Sequence, residues 1–287
     1  MTTIVVHGTQ THRSAIAGTW WWDSWSGTGF LNAVASGMEQ VSGGHDVWLI
    51  NGVPVAQVPE LTATRSFWSL SMKPRSLSQH QGHFLWSGAA MGIARDAGAS
   101  ALVDYLNVVR TLTGEPLRII AHSHGCNLVK QASASRKLAP DVFIDQAVFL
   151  ACPHFFTPNA VAGYRVPYQL APNRFGRILN LYSPSDTVQV NVAAHLSGQA
   201  ITASIAEMQA PSAYRTEQDP NARHLYEDAE YAVAQGCSGT QAHTVAHGHI
   251  LGVPVGVWLE SGADFRHVLR TLHSGRLPPV PASDDGA

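Results

Sequence analysis

The sequence predicts an α/β fold with a mostly parallel central sheet flanked by helices. Short apolar runs rich in β-branched residues alternate with longer segments whose apolar residues recur every three or four positions. The chain has 287 residues and is 45% hydrophobic, which is enough to bury a full-sized core. Glycine, proline and polar clusters separate the apolar segments. This alternation is the pattern of a parallel sheet whose strands are connected by helices.

Five apolar runs predict the strands of the sheet. The first, TIVVHG at 3–8, ends in a glycine turn. The later runs have the length and the β-branched content of buried strands. They are HDVWLIN at 45–51, PLRII at 116–120, QAVFLACP at 146–153 and RILNLYS at 177–183.

Four segments predict the helices that cover this sheet. The segment 91–112 has the 3.6-residue apolar spacing of a long amphipathic helix, which Gly114 and Pro116 end. A closing helix is predicted at 251–261 despite the proline at position 254. The other two predicted helices are at 28–41 and 126–138.

The chain is predicted to be a single domain over 1–275, followed by a disordered tail at 276–287. Three long irregular segments interrupt the alternation of strands and helices. Because such loops inside a compact domain are often functional, they are predicted to be cap-like insertions. Their ranges are 53–90, 154–176 and 187–242.

Composition and charge argue against several classes of protein. Charged residues make up 13% of the chain, and 18 basic against 20 acidic side chains leave a formal charge of −2. Without a basic stripe, a nucleic-acid partner is not expected. No apolar stretch reaches the roughly 18–20 residues of a transmembrane segment, and no signal peptide is visible. A cytoplasmic location is therefore expected, with leaderless export left open.

Three scattered cysteines, Cys126, Cys152 and Cys237, do not have the spacing of a disulfide framework or of a CxxC site. They are predicted to be free thiols without a redox role.

The stretch IIAHSHGCNLV at 119–129 places Ser123 between a predicted strand and a predicted helix. A serine hydroxyl is a weak nucleophile. It needs a base, an acid that orients the base, and N–H donors where negative charge develops. Ala121 and Gly125, two residues before and after the serine, are small enough for a tight strand-to-helix turn. Ser123 is therefore the candidate nucleophile.

With this motif the chain resembles the α/β-hydrolase superfamily, and within it the compact bacterial lipases and esterases. AHSHG corresponds to the nucleophile elbow G-x-S-x-G, with Ala121 in place of the first glycine. The resemblance covers roughly residues 3–260, although its specific motifs are short. It implies an oxyanion hole formed by the amides of Thr9, in the HGT turn at 7–9, and His124, at the amino terminus of a helix.

The chain order of the superfamily, serine then acid then histidine, predicts a carboxylate after a later strand. Asp186 follows the strand at 177–183 within a Ser-Pro-Ser turn, and it is the predicted acid. Asp145 and Asp141 precede their strand and would lie at the opposite edge of the sheet.

The segment TQAHTVAHGHI offers three histidines for the base, in a loop before the closing helix. Lipase-like sequences often carry a histidine, a small hydroxyl residue and a second histidine four positions on. The resemblance therefore implies His243 as the base. His247 is the alternative, and His249 is the third candidate.

The many histidines also raise the possibility of a metal site, because H-x-H spacing occurs among metal ligands. No cluster of aspartate or glutamate completes a ligand set, so neither a metal nor a cofactor is predicted. The four tryptophans between Trp20 and Trp25 have two interpretations. They form an apolar acyl-binding wall or a partner surface, or they simply pack on the sheet.

The sequence predicts a serine hydrolase that cleaves a carboxylic ester, in preference to an amide or a thioester, through an acyl-enzyme. The expected partner is a small-molecule or lipid ester, and the tryptophans and the low charge favour an apolar acyl chain. The alternative hypothesis is a non-catalytic binding module that uses the Trp-rich segment as its partner surface.

Overall fold

The computed structural model describes residues 1–8, 30–42, 83–84, 86, 88, 92–155, 170–183, 185–188, 201–202, 226–230 and 248–278. Within these residues, parallel strands form a six-stranded sheet, and helices cover both of its faces. The predicted α/β class, with a parallel sheet flanked by helices, is confirmed at this level.

The strands of the sheet follow the spatial order β2-β1-β3-β4-β6-β8. They are β1 (Thr2–Val6), β2 (His83–Phe84), β3 (Leu117–His122), β4 (Ile144–Leu150), β6 (Phe175–Tyr182) and β8 (Tyr226–Glu230). A separate antiparallel ribbon pairs β5 (His154–Phe155) with β7 (Ile201–Thr202). The helices are α1 (Phe30–Ser42), α2 (Gly92–Thr113), α3 (His124–Ser133), α4 (Gly248–Ser261) and α5 (Phe265–His273).

The central strands are buried on both faces, as expected for parallel strands between two layers of helices. Every residue of β1 and β3 is buried. Ile119 and Ala121 of β3 face the core shared with α2 and α3, whereas Ile120 faces the core shared with α1 and α4. The continuous apolar runs in the sequence therefore correspond to strands with two buried faces.

Helices α1 and α4 pack against each other through glycines. A Cβ atom on Gly37 would collide with the carbonyl oxygen of Val253, and one on Gly256 would collide with the carbonyl oxygen of Val34. A Cβ atom on Gly252 would likewise collide with the Cβ atom of Ala33. The neighbours of Gly252 are Phe30, Ala33 and Val34, whereas those of Gly256 are Val34, Gly37 and Met38. The contacts advance along both helices together, so the two helices run parallel and begin at the same end.

The side chain of Arg118, the second residue of β3, shows at which edge of the sheet helices α1 and α4 end. Its guanidinium donates to the carbonyl oxygen of Leu259 at 3.2 Å and lies 3.0 Å from the carboxylate of Glu260. It also lies 3.9 Å from Met38 Sδ, in the second half of α1. The ends of α1 and α4 therefore lie at the edge where the strands begin. Both helices begin near the carboxyl edge of the sheet.

Two strands of the sheet lie inside segments that were predicted to be cap-like insertions. Strand β2 falls in 53–90 and pairs with β1, and β8 falls in 187–242 and pairs with β6. The prediction missed β8 because its sequence, YEDAE, has the acidic content of a loop. As an edge strand it is stabilised through Glu227, which accepts hydrogen bonds from Arg177 and from the indole N–H of Trp258.

Several predicted bounds also need correction. Helix α3 ends at Ser133 rather than at 138, and strand β4 ends at Leu150 rather than at 153. Helix α4 is not the closing helix, because α5 follows it and begins after the N-cap Asp264, whose carboxylate accepts the amide of His267 at 2.7 Å. The predicted strand at 45–51, most of the insertions 53–90, 154–176 and 187–242, and the tail beyond 278 lie outside the described residues.

The hydroxyl of Tyr105, on α2, is buried without a hydrogen-bond partner among the described residues, and burial raises the pKa of Tyr105 to about 12. We expect Tyr105→Phe to raise the free energy of unfolding at neutral pH by about 1 kcal/mol, because an unpaired buried hydroxyl is costly. Above about pH 10 the difference should widen, because the wild-type tyrosine loses its proton more readily in the unfolded chain than in the folded protein.

Urea denaturation of the wild type and of Tyr105→Phe, at about pH 7 and about pH 11, measures both effects. A variant that is less stable than the wild type at neutral pH would contradict the prediction.

Candidate active site

Ser123 occupies the junction of β3 and α3 in a strained backbone conformation, with φ 52° and ψ −129°. A positive φ is uncommon for a residue with a Cβ atom, and it costs about 1–3 kcal/mol where surrounding structure imposes it. The serine is the N-cap of α3, but its side chain makes no capping hydrogen bond. Its hydroxyl is therefore not used in helix capping, the commonest structural role of a serine in this place.

Hydrogen bonds from the neighbouring strand fix this turn. The amide of Ser123 donates to the carbonyl oxygen of Leu150, the last residue of β4, at 2.8 Å. The carbonyl oxygen of Ser123 accepts the amide of Cys126 at 3.0 Å. The next strand end repeats the arrangement, since Ala151 has φ 48° and its amide donates to Leu181 at 2.9 Å.

Two glycines allow the backbone to approach closely around Ser123. A Cβ atom on Gly125 would lie 2.5 Å from the carbonyl oxygens of Val6 and His7, so the first turn of α3 packs directly on the end of β1. A Cβ atom on Gly8 would lie 2.8 Å from Ser123 Cβ. The residue before Thr9 therefore touches the serine itself, and a larger side chain at position 8 would push the two apart.

His7 is fixed by Trp86, which lies 79 residues further along the chain and carries no sequence signal of this contact. The amide of Trp86 donates to His7 Nε2 at 3.2 Å, and His7 Nδ1 donates to the carbonyl oxygen of Gly8 at 2.8 Å. These two bonds require the neutral imidazole with its proton on Nδ1. The indole N–H of Trp86 also donates to the His7 carbonyl oxygen at 2.8 Å, and the two rings stack. The backbone at Gly8 is held by this pair.

His124 is the first residue of α3, and its side chain is buried. The side-chain amide of Asn127 donates to His124 Nδ1 at 3.1 Å, which leaves the proton of the neutral ring on Nε2. The amides in the first turn of a helix have no acceptor within that helix, and they carry the positive end of its dipole. The His124 amide is therefore suited to bind a developing negative charge beside Ser123.

Asp186 is fully buried shortly after the end of β6. Its amide donates to the carbonyl oxygen of Ser183 at 3.1 Å, within a turn that begins directly after the strand. Strand β6 is separated from β3 only by β4, which corresponds to about 10 Å between strand axes. A side chain of histidine size could bridge such a gap between Ser123 and the Asp186 carboxylate.

The competing aspartates lie at the opposite edge, where the strands begin. A carboxylate oxygen of Asp145 accepts the amide of Leu117, the first residue of β3, at 3.2 Å. Asp141 lies 3.9 Å from Arg110 near the end of α2. Both are separated from Ser123 by the length of a strand.

Two predicted site residues, Thr9 and His243, lie outside the described residues, as do His247 and the tryptophans from Trp20 to Trp25. The described chain still shows where their segments are attached. Segment 9–29 leaves the end of β1 and leads into α1, and segment 231–247 leads into α4.

Both helices begin near the carboxyl edge of the sheet, the edge at which Ser123 and Asp186 lie. The rise of α4 from Gly248 to Glu260 is about 18 Å, similar to the roughly 17 Å from Arg118 to Ser123 along β3. Because α4 ends beside Arg118, its first turn lies near the level of Ser123. His249 belongs to the first turn of α4 rather than to the loop before it, which corrects the prediction.

Among the described residues, no three histidine, cysteine, aspartate or glutamate side chains come together in a way that could bind a metal ion. In the same part of the chain, every helix is too short or too polar to cross a bilayer. No protein-family model matches the chain, and no curated protein sequence matches it.

The positive φ of Ser123 can be tested by comparing two substitutions at this position. The free energy of unfolding of Ser123→Gly should be about 1 kcal/mol higher than that of Ser123→Ala, because glycine has no Cβ atom and adopts a positive φ without strain. As a matched control, Ala132→Gly within α3 should lower the free energy of unfolding by about 1 kcal/mol. Equal stability of the two Ser123 variants in urea denaturation would refute the strained turn.

Proposed function

We propose that this protein is a serine hydrolase of the α/β-hydrolase type that cleaves carboxylic esters through an acyl-enzyme. The observation that carries the proposal is the strained backbone of Ser123, between β3 and α3 at the carboxyl edge of a parallel sheet. The side chain of this serine makes no capping hydrogen bond. Ligands of open parallel sheets bind at this edge. A serine that is strained and unused in capping is better explained by chemistry than by packing.

In the proposed mechanism, Ser123 Oγ attacks the ester carbonyl carbon, and His243 accepts the hydroxyl proton. His243 then returns this proton to the leaving alcohol, and Asp186 orients and stabilises the imidazolium. Water, deprotonated by the same histidine, attacks the acyl-enzyme and releases the carboxylic acid.

The amides of Thr9 and His124 are proposed to stabilise the oxyanion in both steps. The position of His124 at the start of α3 supports the proposed role of its amide in the oxyanion hole. For Thr9, the support is the contact of Gly8 with Ser123 and the fixing of the Gly8 carbonyl oxygen by His7. Because a peptide unit is planar, a fixed carbonyl at Gly8 also limits the directions open to the amide that follows it.

Two further observations support Asp186 as the acid and His243 as the base. Asp186 is buried beyond a strand that is two positions from β3, so its carboxylate lies in a medium that strengthens its interaction with a cationic imidazole. The chain enters α4 near the same edge, and His243 lies five residues before that helix. An apolar acyl chain remains the proposed substrate group, on the tryptophan content and the low charge of the chain.

Labelling with a fluorophosphonate tests the nucleophile directly, because this reagent reacts with activated serines. We expect the wild-type protein to gain one label on the tryptic peptide 119–130, and Ser123→Ala to gain none and to lose hydrolysis of short p-nitrophenyl esters. Ser100→Ala, at an exposed position on α2, is the matched control and should label like the wild type. A folded wild-type protein that neither labels nor hydrolyses esters would favour the binding-module hypothesis instead.

The choice of base is tested by substituting the two histidines that lie four residues apart. His243→Ala should lower kcat by about 10⁴-fold or more, because removal of a triad member commonly has an effect of this size. His247→Ala should lower kcat far less, and both variants should keep the unfolding transition of the wild type. The reverse order of effects would make His247 the base and leave the rest of the mechanism unchanged.

A further inference from the structure

Trp86 is buried two residues after β2, beside the end of β1, and the proposed mechanism assigns it no step. Its ring lies against α2, because a Cβ atom on Gly98 would lie 3.2 Å from Trp86 Cε3. A buried tryptophan normally finds an acceptor for its indole N–H, since an unpaired N–H group in apolar surroundings is costly. Both N–H groups of Trp86 donate to a single residue, His7.

These two bonds fix the main chain and the ring of His7 together. The indole N–H donates to the His7 carbonyl oxygen at 2.8 Å, and the amide of Trp86 donates to His7 Nε2 at 3.2 Å. The two rings are also stacked, with centroids 5.7 Å apart and planes inclined by 19°. His7 is fully buried, so solvent does not compete for either bond. The position and the orientation of its imidazole therefore both depend on Trp86.

The hydrogen bonds continue from His7 to the peptide beside Ser123. Because Nε2 accepts from Trp86, the proton of the neutral ring is on Nδ1, which donates to the Gly8 carbonyl oxygen at 2.8 Å. The donors from the Trp86 amide to Gly8 all point the same way, and hydrogen bonds in series strengthen one another. In a planar trans peptide, the N–H group points away from the carbonyl of the same unit. A fixed Gly8 carbonyl therefore also orients the amide that follows it.

We propose that Trp86 and His7 are positioning residues for the oxyanion hole, and that their hydrogen-bond network orients and polarises the amide of Thr9. This inference rests on the proposed function, in which the Thr9 amide binds the oxyanion. Gly8 is close enough to the nucleophile for the alignment to matter, because a Cβ atom on Gly8 would lie 2.8 Å from Ser123 Cβ. Neither His7 nor Trp86 needs to contact the substrate.

A donor that is fixed in advance acts on the transition state more than on the bound ester. The negative charge on the carbonyl oxygen develops only as the serine attacks, so a misdirected amide weakens binding of the transition state and leaves binding of the ester nearly unchanged. Loss of the network should therefore lower kcat and leave KM almost unaltered. A tryptophan that only stabilised the fold would change the free energy of unfolding without this division between kcat and KM.

Trp86→Phe tests the network, because it removes the indole N–H and keeps an aromatic ring and the backbone amide. We expect kcat for a short p-nitrophenyl ester to fall about 10-fold, with KM changed by less than about 2-fold, since removal of a whole oxyanion-hole donor costs about 10²–10³-fold. The rate at which a fluorophosphonate labels Ser123 should fall by a similar factor, because the phosphonyl oxygen occupies the same hole.

Trp258→Phe is the matched control for this substitution. Trp258 is fully buried, and its indole N–H donates to Glu227 at 2.8 Å at the opposite edge of the sheet, where the strands begin. The control loses one indole hydrogen bond, as Trp86→Phe does, so its free energy of unfolding should fall by a comparable amount. Its kcat and its labelling rate should equal those of the wild type. Equal kcat in Trp86→Phe and Trp258→Phe would overturn the positioning role.

Two substitutions of His7 test which of its ring nitrogens matters. His7→Asn keeps a side-chain N–H near the position of Nδ1, whereas His7→Gln places its amide near Nε2 and removes this donor to the Gly8 carbonyl. We expect kcat of His7→Gln to be about 10-fold lower than that of His7→Asn, because only the asparagine holds the peptide in place. Equal kcat in these two variants, both folded, would contradict the proposal.

Labelling of the wild-type protein separates the positioning role from the proposed function. A wild-type protein that labels on Ser123 at the same rate as Trp86→Phe would overturn the positioning role alone. A wild-type protein that does not label would refute the proposed hydrolase, and the positioning role with it.

Discussion

The sharp turn at Ser123 is the constraint on which the arrangement of this protein depends. Strand β3 must end and helix α3 must begin within a single residue, which a residue with a Cβ atom achieves only at a strained positive φ. The strain is sustained because the Leu150 carbonyl oxygen holds the Ser123 amide, and because Gly125 and Gly8 let β1 approach the turn. The neighbouring strands must be parallel to β3 for these contacts to exist at one edge.

The two edges of the sheet have different chemistry. Ion pairs of arginine and glutamate cluster at the edge where the strands begin, as in Arg118 with Glu260 and Arg177 with Glu227. Arg118 is buried, whereas Glu260, Arg177 and Glu227 are partly buried, and these contacts join the end of α4 and the start of β8 to the sheet. The opposite edge carries Ser123, His124 and Asp186, and α1 and α4 begin near it. Stability and the proposed chemistry are thus concentrated at separate ends of the same strands.

The turn at Ser123 also joins two polar regions that are otherwise separate. Ser123 itself lies at the edge of the sheet with 9% of its surface exposed, and the thiols of Cys126 and Cys152 lie fully buried beneath it. The carbonyl oxygen of Leu150 belongs to both regions, because it accepts from Ser123 and from Cys126. The two regions are therefore joined by one strand end and one helical turn.

The sequence by itself determined the parts of the protein that depend on neighbours along the chain. An apolar run, a small–x–Ser–x–small motif and an amphipathic segment are adjacent in sequence, so β3, the turn at Ser123 and the start of α3 followed from local sterics. Asp186 was placed at the correct edge for the same reason, because it comes directly after a strand. Acidic β8 was missed because it lacks the apolar content of a strand. Helix α5 was missed although its sequence carries a helical pattern, with the N-cap Asp264 and the buried apolar residues Phe265 and Val268 three positions apart.

Only the tertiary structure decided which distant segments meet. Trp86 fixes His7 across 79 positions of sequence, and Lys130 meets His154 across 24, yet none of these residues carries a local signal of its partner. The physical reason is that strand order sets these contacts, and strand order depends on the packing of whole layers rather than on the periodicity of any one segment. The turn at Ser123 could therefore be read from the chain, whereas the side chains that surround it could not.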